Sequence, residues 1–404
     1  MQHLFSNTQA LSPESSAREG QSNDKQEKNL EAWFQKKLYE RKTESQLNLL
    51  KYKGKIKRKV LENLRMCSCE NIVWKDFLNN EKELINLNIR EPIKLDVNDF
   101  QLRGVISEKI DGNLYLMKIN FGKNGKFCAV KKILTSKLEE KSSNILNEIK
   151  ILKTIRCPFT INAQFEAQDV NYTYLIMPLI VGKDLYRIIK KFGFIQEKLA
   201  KFYSAQILLA LEYLHNLDIV FRNLKPENIM VDHIGYLKVH DFKYAKHLEN
   251  NGRTYTICGT PEYMAPECIN LQGYGKSVDW WAFGILVYEM STGITPFYDQ
   301  SQEILLTNII SGKYNIKHVL SFDLRNFIEK FIKIEPTERF GLSRLGVNEI
   351  KQDRWFTSIN WHELVHKRLK PLYLPNIRNP RGNFLVHKIE IPKEESEELF
   401  YCDD

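Results

Sequence analysis

The chain has 404 residues, 43% hydrophobic and 27% charged, with 13 Pro and 19 Gly, an ordinary globular composition and neither a fibrous nor a disordered one. Its longest mostly apolar stretch, Trp280 to Tyr288, falls far short of the roughly 20 residues of a membrane-spanning helix, which excludes a transmembrane protein. The start MQHLFSNTQALSPESS has no basic segment followed by an apolar core, and the seven scattered cysteines include no CxxC, so a reducing cytosol is expected, with no secretory signal, disulfide framework or zinc site.

The net charge of +9 is unevenly placed. Residues 31–66 hold 11 Lys/Arg against 4 Asp/Glu, whereas residues 1–29 hold 3 against 4. The pattern is a near-neutral globule with a basic arm, which makes a nucleic-acid binder a poor fit. The run KYKGKIKRK at 51–59 reads first as a solvated helix end or linker. Its second reading is docking to an acidic surface, whether membrane, nucleic acid or acidic protein tail, and nuclear localisation is a weak third.

Residues 1–29 are rich in Ser, Gln, Asn and Glu and bury too little to offset ordering entropy, so disorder is expected there. From 30 to 95, Trp33, Leu38, Leu47, Leu49 and Leu50 recur among charges, predicting one or two amphipathic helices interrupted at Gly54. From 96 to 180 the runs FQLRGVI, NLYLMKI, KFCAVKKI and TYLIMPLI read as strands, with turns at Asp111-Gly112 and Asn124-Gly125. An antiparallel sheet follows, interrupted by a helix whose stripe is Ile145, Ile149, Leu152 and Ile155.

From 181 to 356 the periodicity is helical: Tyr203, Ile207, Ala210, Leu211 and Leu214 share one face, and VDWWAFGILVYEM is apolar all round, as a central buried helix should be. The expected architecture is α+β, a small β-rich lobe on a larger helical one, with the ligand cleft between them.

At the junction stand FRNLKPENIMVDHIGYLKVHDF and GRTYTICGTPEYMAPE. These segments resemble the catalytic loop, metal-binding loop and activation segment of eukaryotic protein kinases, and KPEN with CGTPEYMAPE is most similar to the AGC branch that includes the cyclic-nucleotide-dependent kinases. The resemblance runs in order from about Asp99 to Trp355 and continues, more weakly, into a C-terminal tail at 357–404. It implies a bilobal kinase fold, ATP and magnesium as cofactors, and a basic, Arg-rich segment or regulatory subunit as partner.

Carried over position by position, the resemblance makes Lys131 the ligand of the nucleotide's α- and β-phosphates and Glu148 its ion-pair partner. Asn228 and Asp241 become the magnesium ligands, hard oxygen donors for a hard cation, and Lys225 neutralises the transferring phosphoryl group. Ser107 and Gly112 border the phosphate loop; Met177, Pro178, Ile180 and Asp184 line the hinge side; Leu114, Ala129 and Met230 sandwich the adenine. Thr256 matches the activation-loop phosphorylation site, with Arg222 and Lys246 as cations for a phosphothreonine. Glu267 with Arg339, and Asp279 alone, match structural positions beneath the active site. Asp184, Glu227, Glu262 and Glu289 match acids that read arginines in a substrate, and Leu152, Ala163, Phe221 and Phe242 match an apolar column joining the lobes.

Three departures from the pattern bear on function. Asn223 stands where the family has the carboxylate that takes the substrate hydroxyl's proton, and an amide cannot take it at neutral pH. A general base is worth about 10²–10⁴-fold, which from ordinary kinase rates leaves roughly 10⁻⁴–1 s⁻¹. The phosphate loop reads Ser107, Glu108, Lys109, Ile110, Asp111, Gly112 and lacks two of the usual three glycines, and Lys243 replaces the glycine after Asp241-Phe242. Lys243 points to solvent, or else Lys243 or Lys109 supplies charge usually brought by magnesium and lets nucleotide bind without metal.

The leading expectation is therefore a degenerate kinase that binds ATP and an Arg-rich partner as a scaffold or competitor. A slow but working Ser/Thr kinase is the alternative, and a docking protein attached through its basic arm the third reading, with a cytoplasmic location on a cytoskeletal or other acidic assembly. In the tail, PLYLPNIRNPRGNF resembles the AGC tail and Phe384 is placed to cover the nucleotide, but the terminus offers only Phe400 and Tyr401 in place of a Phe-x-x-Phe motif.

Overall fold

The structure is a computed structural model, and it describes residues 100–107, 112–119, 126–134, 144–168, 172–248, 252–314 and 320–376. The expectations for the N-terminal arm, for Glu108 to Asp111, and for Phe384, Phe400 and Tyr401 lie outside the described residues.

The small lobe is a five-stranded antiparallel sheet of β1 (Phe100–Ser107), β2 (Asn113–Ile119), β3 (Lys126–Leu134), β4 (Phe165–Gln168) and β5 (Tyr172–Pro178), in the order β1-β2-β3-β5-β4. These β-branched and aromatic runs bury Leu116, Met117, Val130 and Leu175 almost completely, and since the successive Leu116 and Met117 point to opposite faces, the sheet is covered on both sides there. Helix α1 (Asn144–Thr154) packs against the turn at Phe242–Tyr244, and its stripe of Ile149 and Leu152 is buried, with Ile155 just beyond its end.

Strand β6 (Gly182–Asp184) leads into α2 (Leu185–Phe192) and then α3 (Glu197–Asn216). The periodicity of α3 marks a single face, yet the helix is buried from Ala200 to His215 on nearly every side, because the large lobe packs around it. The catalytic-loop region follows as β7 (Ile219–Val220), β8 (Ile229–Asp232) and β9 (Leu237–Val239), with β6-β8-β9 forming a small antiparallel sheet and β10 (Lys246–His247) pairing with β7. After α4 (Pro266–Ile269), helix α5 (Ser277–Thr292) runs through the centre of the lobe, buried from Ser277 to Ser291, as its uniformly apolar sequence predicts.

Two amphipathic helices close this lobe. Ser301 caps α6 (Gln302–Ser311) by accepting from Ile304 N, and Ser321 caps α7 (Phe322–Phe331) by accepting from Leu324 N. Phe283 of α5 meets Phe327 and Phe331 of α7 edge to face, and Trp355 and Phe356 extend the cluster. Beyond it, the segment at 369–373 lies against the β8–β9 turn: Tyr236 donates its hydroxyl to the Leu369 carbonyl, and Phe192 meets Tyr373 edge to face at 5.7 Å.

Candidate active site

Register in the small lobe places the residues matched to a nucleotide wall. In the β3–β5 pair Ala129 lies opposite Met177 and Cys128 opposite Pro178, so Ala129 and Met177 share one part of the sheet, with Pro178 and Ile180 leading out toward the second lobe. Lys131 lies opposite Leu114 of β2, and Ser107 pairs with Leu114 at the end of β1. Gly112, at the mouth of that hairpin, has φ +135°, and a Cβ there would lie 2.5 Å from the Lys132 carbonyl oxygen. This retained glycine is a steric necessity. Met230 of β8 lies opposite Asp184 of β6, on the large-lobe side.

Lys131 Nζ sits 2.5 Å from Glu148 Oε1, and Glu148 is only 3% exposed. The pair the sequence places on successive elements is therefore formed, tying α1 to the sheet. Leu152, Ala163, Phe221 and Phe242 all lie in the main buried core: Ala163 N donates to the Leu152 carbonyl at 2.8 Å, and Phe221 and Phe242 meet edge to face at 5.2 Å.

The catalytic loop hangs on Asp279, a fully buried side chain in the first turn of α5. Its carboxylate accepts the backbone N–H groups of Phe221 and Arg222, both at 2.8 Å, and the His215 ring N–H, also at 2.8 Å. These bonds hold Arg222 at φ +64°, a conformation unusual for a side-chain-bearing residue, just before Asn223. Asn223 is 7% exposed, and its carbonyl accepts Asn228 Nδ2 at 2.8 Å, which leaves Asn228 Oδ1 available to a cation. The Asn228 carbonyl accepts His240 N at 2.9 Å, bringing the loop beside Asp241, itself left-handed at φ +64°. Lys225 donates to Thr260 Oγ1 at 2.9 Å, a link from catalytic loop to activation segment. Lys243 is half-buried, its ammonium 5.3 Å from the Tyr244 ring centre, so the solvent-pointing reading does not describe it fully.

The activation segment is pinned at two levels. Thr254 and Tyr274 exchange backbone hydrogen bonds at 2.9 Å. Below them Arg339 makes a bidentate pair with Glu267 at 2.6 and 3.0 Å, both side chains buried, with Ser277 Oγ donating to the same carboxylate. Thr256 is exposed, and its carbonyl accepts the Tyr274 hydroxyl. The two cations matched to Thr256 bond to its neighbours: Lys246 to Thr254 Oγ1 at 3.1 Å, and Arg222 to the Tyr244 carbonyl at 2.6 Å and to the Tyr274 hydroxyl at 3.2 Å.

Of the four groove acids the structure clusters three. Glu289 is 8% exposed and accepts the Tyr263 hydroxyl; burial pushes its carboxyl up to about 7, with the charges of Glu227 and Glu262 adding to the rise. The Tyr263 phenol is pushed up as well, by burial first and then by Glu289, Glu227 and Glu262. Asp184 is committed elsewhere: it caps α2 by accepting Arg187 N at 2.7 Å and pairs with the Arg187 guanidinium at 3.0 Å. Tyr263 and Thr260 are the site residues that sequence reasoning passed over. Both lie inside the GTPEY motif, where hydroxyl residues on either side of Glu262 were the available signal.

A strand lysine held by a helix carboxylate, above a buried loop hung on Asp279 and the left-handed turn at Asp241, is the arrangement of a protein kinase fold. Residues 116–356 match the family model for the protein kinase domain. The chain is 36% identical over 290 residues to the human cAMP-dependent protein kinase catalytic subunit PRKX, covering 71% of this chain and 80% of that one. It is 34% identical over 311 residues to the Drosophila melanogaster cAMP-dependent protein kinase catalytic subunit 2, covering 76% and 86%. Against catalytic subunit 3 of the same fly, 36% identical over 288 residues, it spans 71% of itself but 49% of the relative. The chain belongs to the protein kinase family, within the AGC branch of cyclic-nucleotide-dependent kinases.

Proposed function

We propose that this protein binds ATP and an Arg-rich protein segment and transfers phosphate weakly or not at all, acting as a scaffold or competitor. The observation that carries the reading is Asn223: it sits buried in a hydrogen-bonded loop, at the position matched to the proton acceptor, while its own amide has no capacity to take a proton. Lys131, braced by Glu148, holds the phosphates; Asn228 and Asp241 suit magnesium through oxygen donors; Lys225 faces the transferring group. Among the described residues no group of three or more His, Cys, Asp or Glu is placed to hold a metal, so a magnesium ion here would complete its shell with nucleotide phosphates and water. When bound it supplies charge neutralisation across the phosphates. Lys243, close to Asp241 in sequence, is proposed to reduce that metal requirement.

The acids Glu227, Glu262 and Glu289 suit guanidinium groups, which favours a basic peptide over a neutral one. Thr256 is proposed as a modification site whose phosphate would draw Arg222 and Lys246 from their present partners. The basic arm at 31–66 is proposed to attach the protein to an acidic assembly, and loss of localisation on deleting residues 1–66 checks that. No helix among the described residues is long and apolar enough to cross a membrane.

A second reading, a slow Ser/Thr kinase, is favoured by the formed Lys131–Glu148 pair and by the burial of the matched apolar residues in the main core. Single-turnover transfer from ATP to an Arg-rich Ser peptide separates the two, with Lys131→Ala and Asn223→Asp as comparisons. A signal that disappears in Lys131→Ala establishes an enzyme and overturns the leading reading. No transfer above that background supports it, and a gain in Asn223→Asp places the defect at the base position.

A further inference from the structure

We propose that His362 and His366, with Glu363 behind the first ring, form a two-histidine site for a divalent transition-metal ion such as zinc, where the tail leaves the large lobe. The site uses none of the residues matched to ATP, magnesium or peptide. The residues read His362-Glu363-Leu364-Val365-His366; the short helix Trp361–Val365 carries the first ring, and His366 is its C-cap. His366 N donates to the His362 carbonyl at 3.4 Å, so a helical turn spans the pair and sets both side chains on one face. Leu364 and Val365 are buried and anchor the turn, whereas the His362 side chain is 43% exposed and His366 is half-buried, within reach of an ion from solvent. The two imidazole rings stand side by side, their centres 4.5 Å apart and their planes inclined at 43°. A metal-bound imidazole nitrogen lies about 2.0–2.1 Å from its ion, which puts the ion about 3.2 Å from the ring centre. Two rings sharing an ion then have centres about 4.5 Å apart at a right angle and about 5.2 Å apart at the tetrahedral angle. The observed spacing equals the first and lies within about 0.7 Å of the second.

Hydrogen bonds at Nδ1 decide which nitrogen of each ring takes the metal. His366 Nδ1 lies 2.8 Å from the His362 carbonyl oxygen, which can only accept, so Nδ1 carries the proton and the neutral ring's lone pair is on Nε2. His362 Nδ1 lies 3.3 Å from Glu363 Oε1, and the carboxylate sets the same tautomer there. A carbonyl behind one ring and a carboxylate behind the other are the partners that orient metal-bound imidazoles and raise their basicity. Arg368 Nη1 reaches the same Glu363 oxygen at 3.4 Å, so this carboxylate orients His362 and is not a third ligand. Among the described residues no group of three or more His, Cys, Asp or Glu is placed to hold a metal, so water completes the shell. This separates the site from a peptidase, which the H-E-x-x-H spacing otherwise suggests but which needs three protein ligands and a carboxylate open to the metal-bound water. The scattered cysteines argue against a thiolate zinc site, whereas imidazoles form this one. Lys367 N and Arg368 N close the turn on the Leu364 and Glu363 carbonyls at 3.0 and 2.9 Å, and the Leu369 carbonyl next accepts the Tyr236 hydroxyl. An ion shared by the two rings therefore braces the start of the segment that lies on the β8–β9 turn.

The test uses the full chain, stripped of metal with a chelator, and titrates Zn²⁺ against a chromogenic zinc indicator. A lost orienting partner costs about 10–100-fold in metal affinity and a lost ligand no less, so His362→Ala and His366→Ala should each weaken zinc binding at least about tenfold. Glu363→Gln should weaken it about tenfold at unchanged stoichiometry, and His247→Ala should leave it unaltered. Zn²⁺ should also slow amide exchange at Lys367 and Arg368 in the unaltered chain and leave it unchanged in the double variant His362→Ala/His366→Ala. That readout compares each protein with and without metal, so a local loosening caused by the substitutions themselves does not mimic it. Zinc binding of full strength in the double variant would place the ion elsewhere and overturn the site. Loss of zinc in both single histidine variants, with Glu363→Gln binding at full strength, would overturn the part given to Glu363. A chain that binds no zinc would overturn the proposal outright.

Discussion

Asp279 offers the sharpest test of how the large lobe holds its catalytic loop. Replacement by Asn keeps the shape but leaves one carbonyl oxygen and an NH₂ group where two anionic oxygens accept three N–H donors. If the carbonyl faces Phe221 N and the His215 ring, the NH₂ meets Arg222 N, donor against donor, in a site closed to water. An unsatisfied buried donor costs about 1–3 kcal/mol, and losing the charge from the remaining bonds adds about 1 kcal/mol. The expected loss is about 3 kcal/mol, and Arg222 is freed to leave its left-handed conformation, displacing Asn223. Urea unfolding followed by tryptophan fluorescence reads the first quantity through the midpoint at unchanged slope. Hydrogen exchange at Arg222 and Asn223 reads the second. A loss under about 1 kcal/mol with exchange unaltered would refute the claim that this carboxylate sets the loop.

The remaining predictions address other parts of the site. Arg339→Leu leaves Glu267 charged, buried and without its guanidinium, and should cost about 3–5 kcal/mol in equilibrium unfolding; the double change with Glu267→Leu should recover most of it. Because the Glu289 carboxyl is raised in the folded chain, its protonated form favours folding, and that contribution fades as pH rises through about 7. Binding a guanidinium needs the ionised form, so affinity for an Arg-rich peptide should rise about tenfold from pH 6 to 8 and lose that slope in Glu289→Gln; a flat profile in the unaltered chain would contradict it. Gly112→Ala should strain the β1–β2 hairpin by about 1–3 kcal/mol, seen as faster amide exchange in β2, and unaltered exchange would count against the reading.

The family and the residues matched to its catalytic positions were legible because they sit in contiguous motifs whose order is itself information. Lys131 with Glu148, and Asn223 through Asn228 to Asp241, needed only their sequence neighbours to be placed. The helices were legible in existence but not in extent of burial, since the stripe on α3 records one packed face while the lobe covers the others. What escaped were bonds whose partners depend on tertiary geometry. Tyr263 meets Glu289 across 26 residues through the setting of α5, and Lys246 selects Thr254 over Thr256 because the activation segment folds back onto Tyr274. Asp184 matched a peptide-reading position, yet the start of α2 right after it makes it a helix cap and gives it Arg187 one turn on.

Asp279 belongs to the chain after the activation segment, while its partners Phe221 and Arg222 precede it, and Thr254 and Tyr274 likewise join across that segment. The two halves of the lobe are therefore joined by hydrogen bonds as well as through the segment itself. The most exposed apolar point of the segment, Tyr255 at 62%, is a natural place for a protease to cut, and a nick there would leave two fragments interlocked through α5. The protein would then run as two bands under denaturing conditions and as one particle under native ones. Its large lobe can be treated as a pair of complementary pieces that recognise each other.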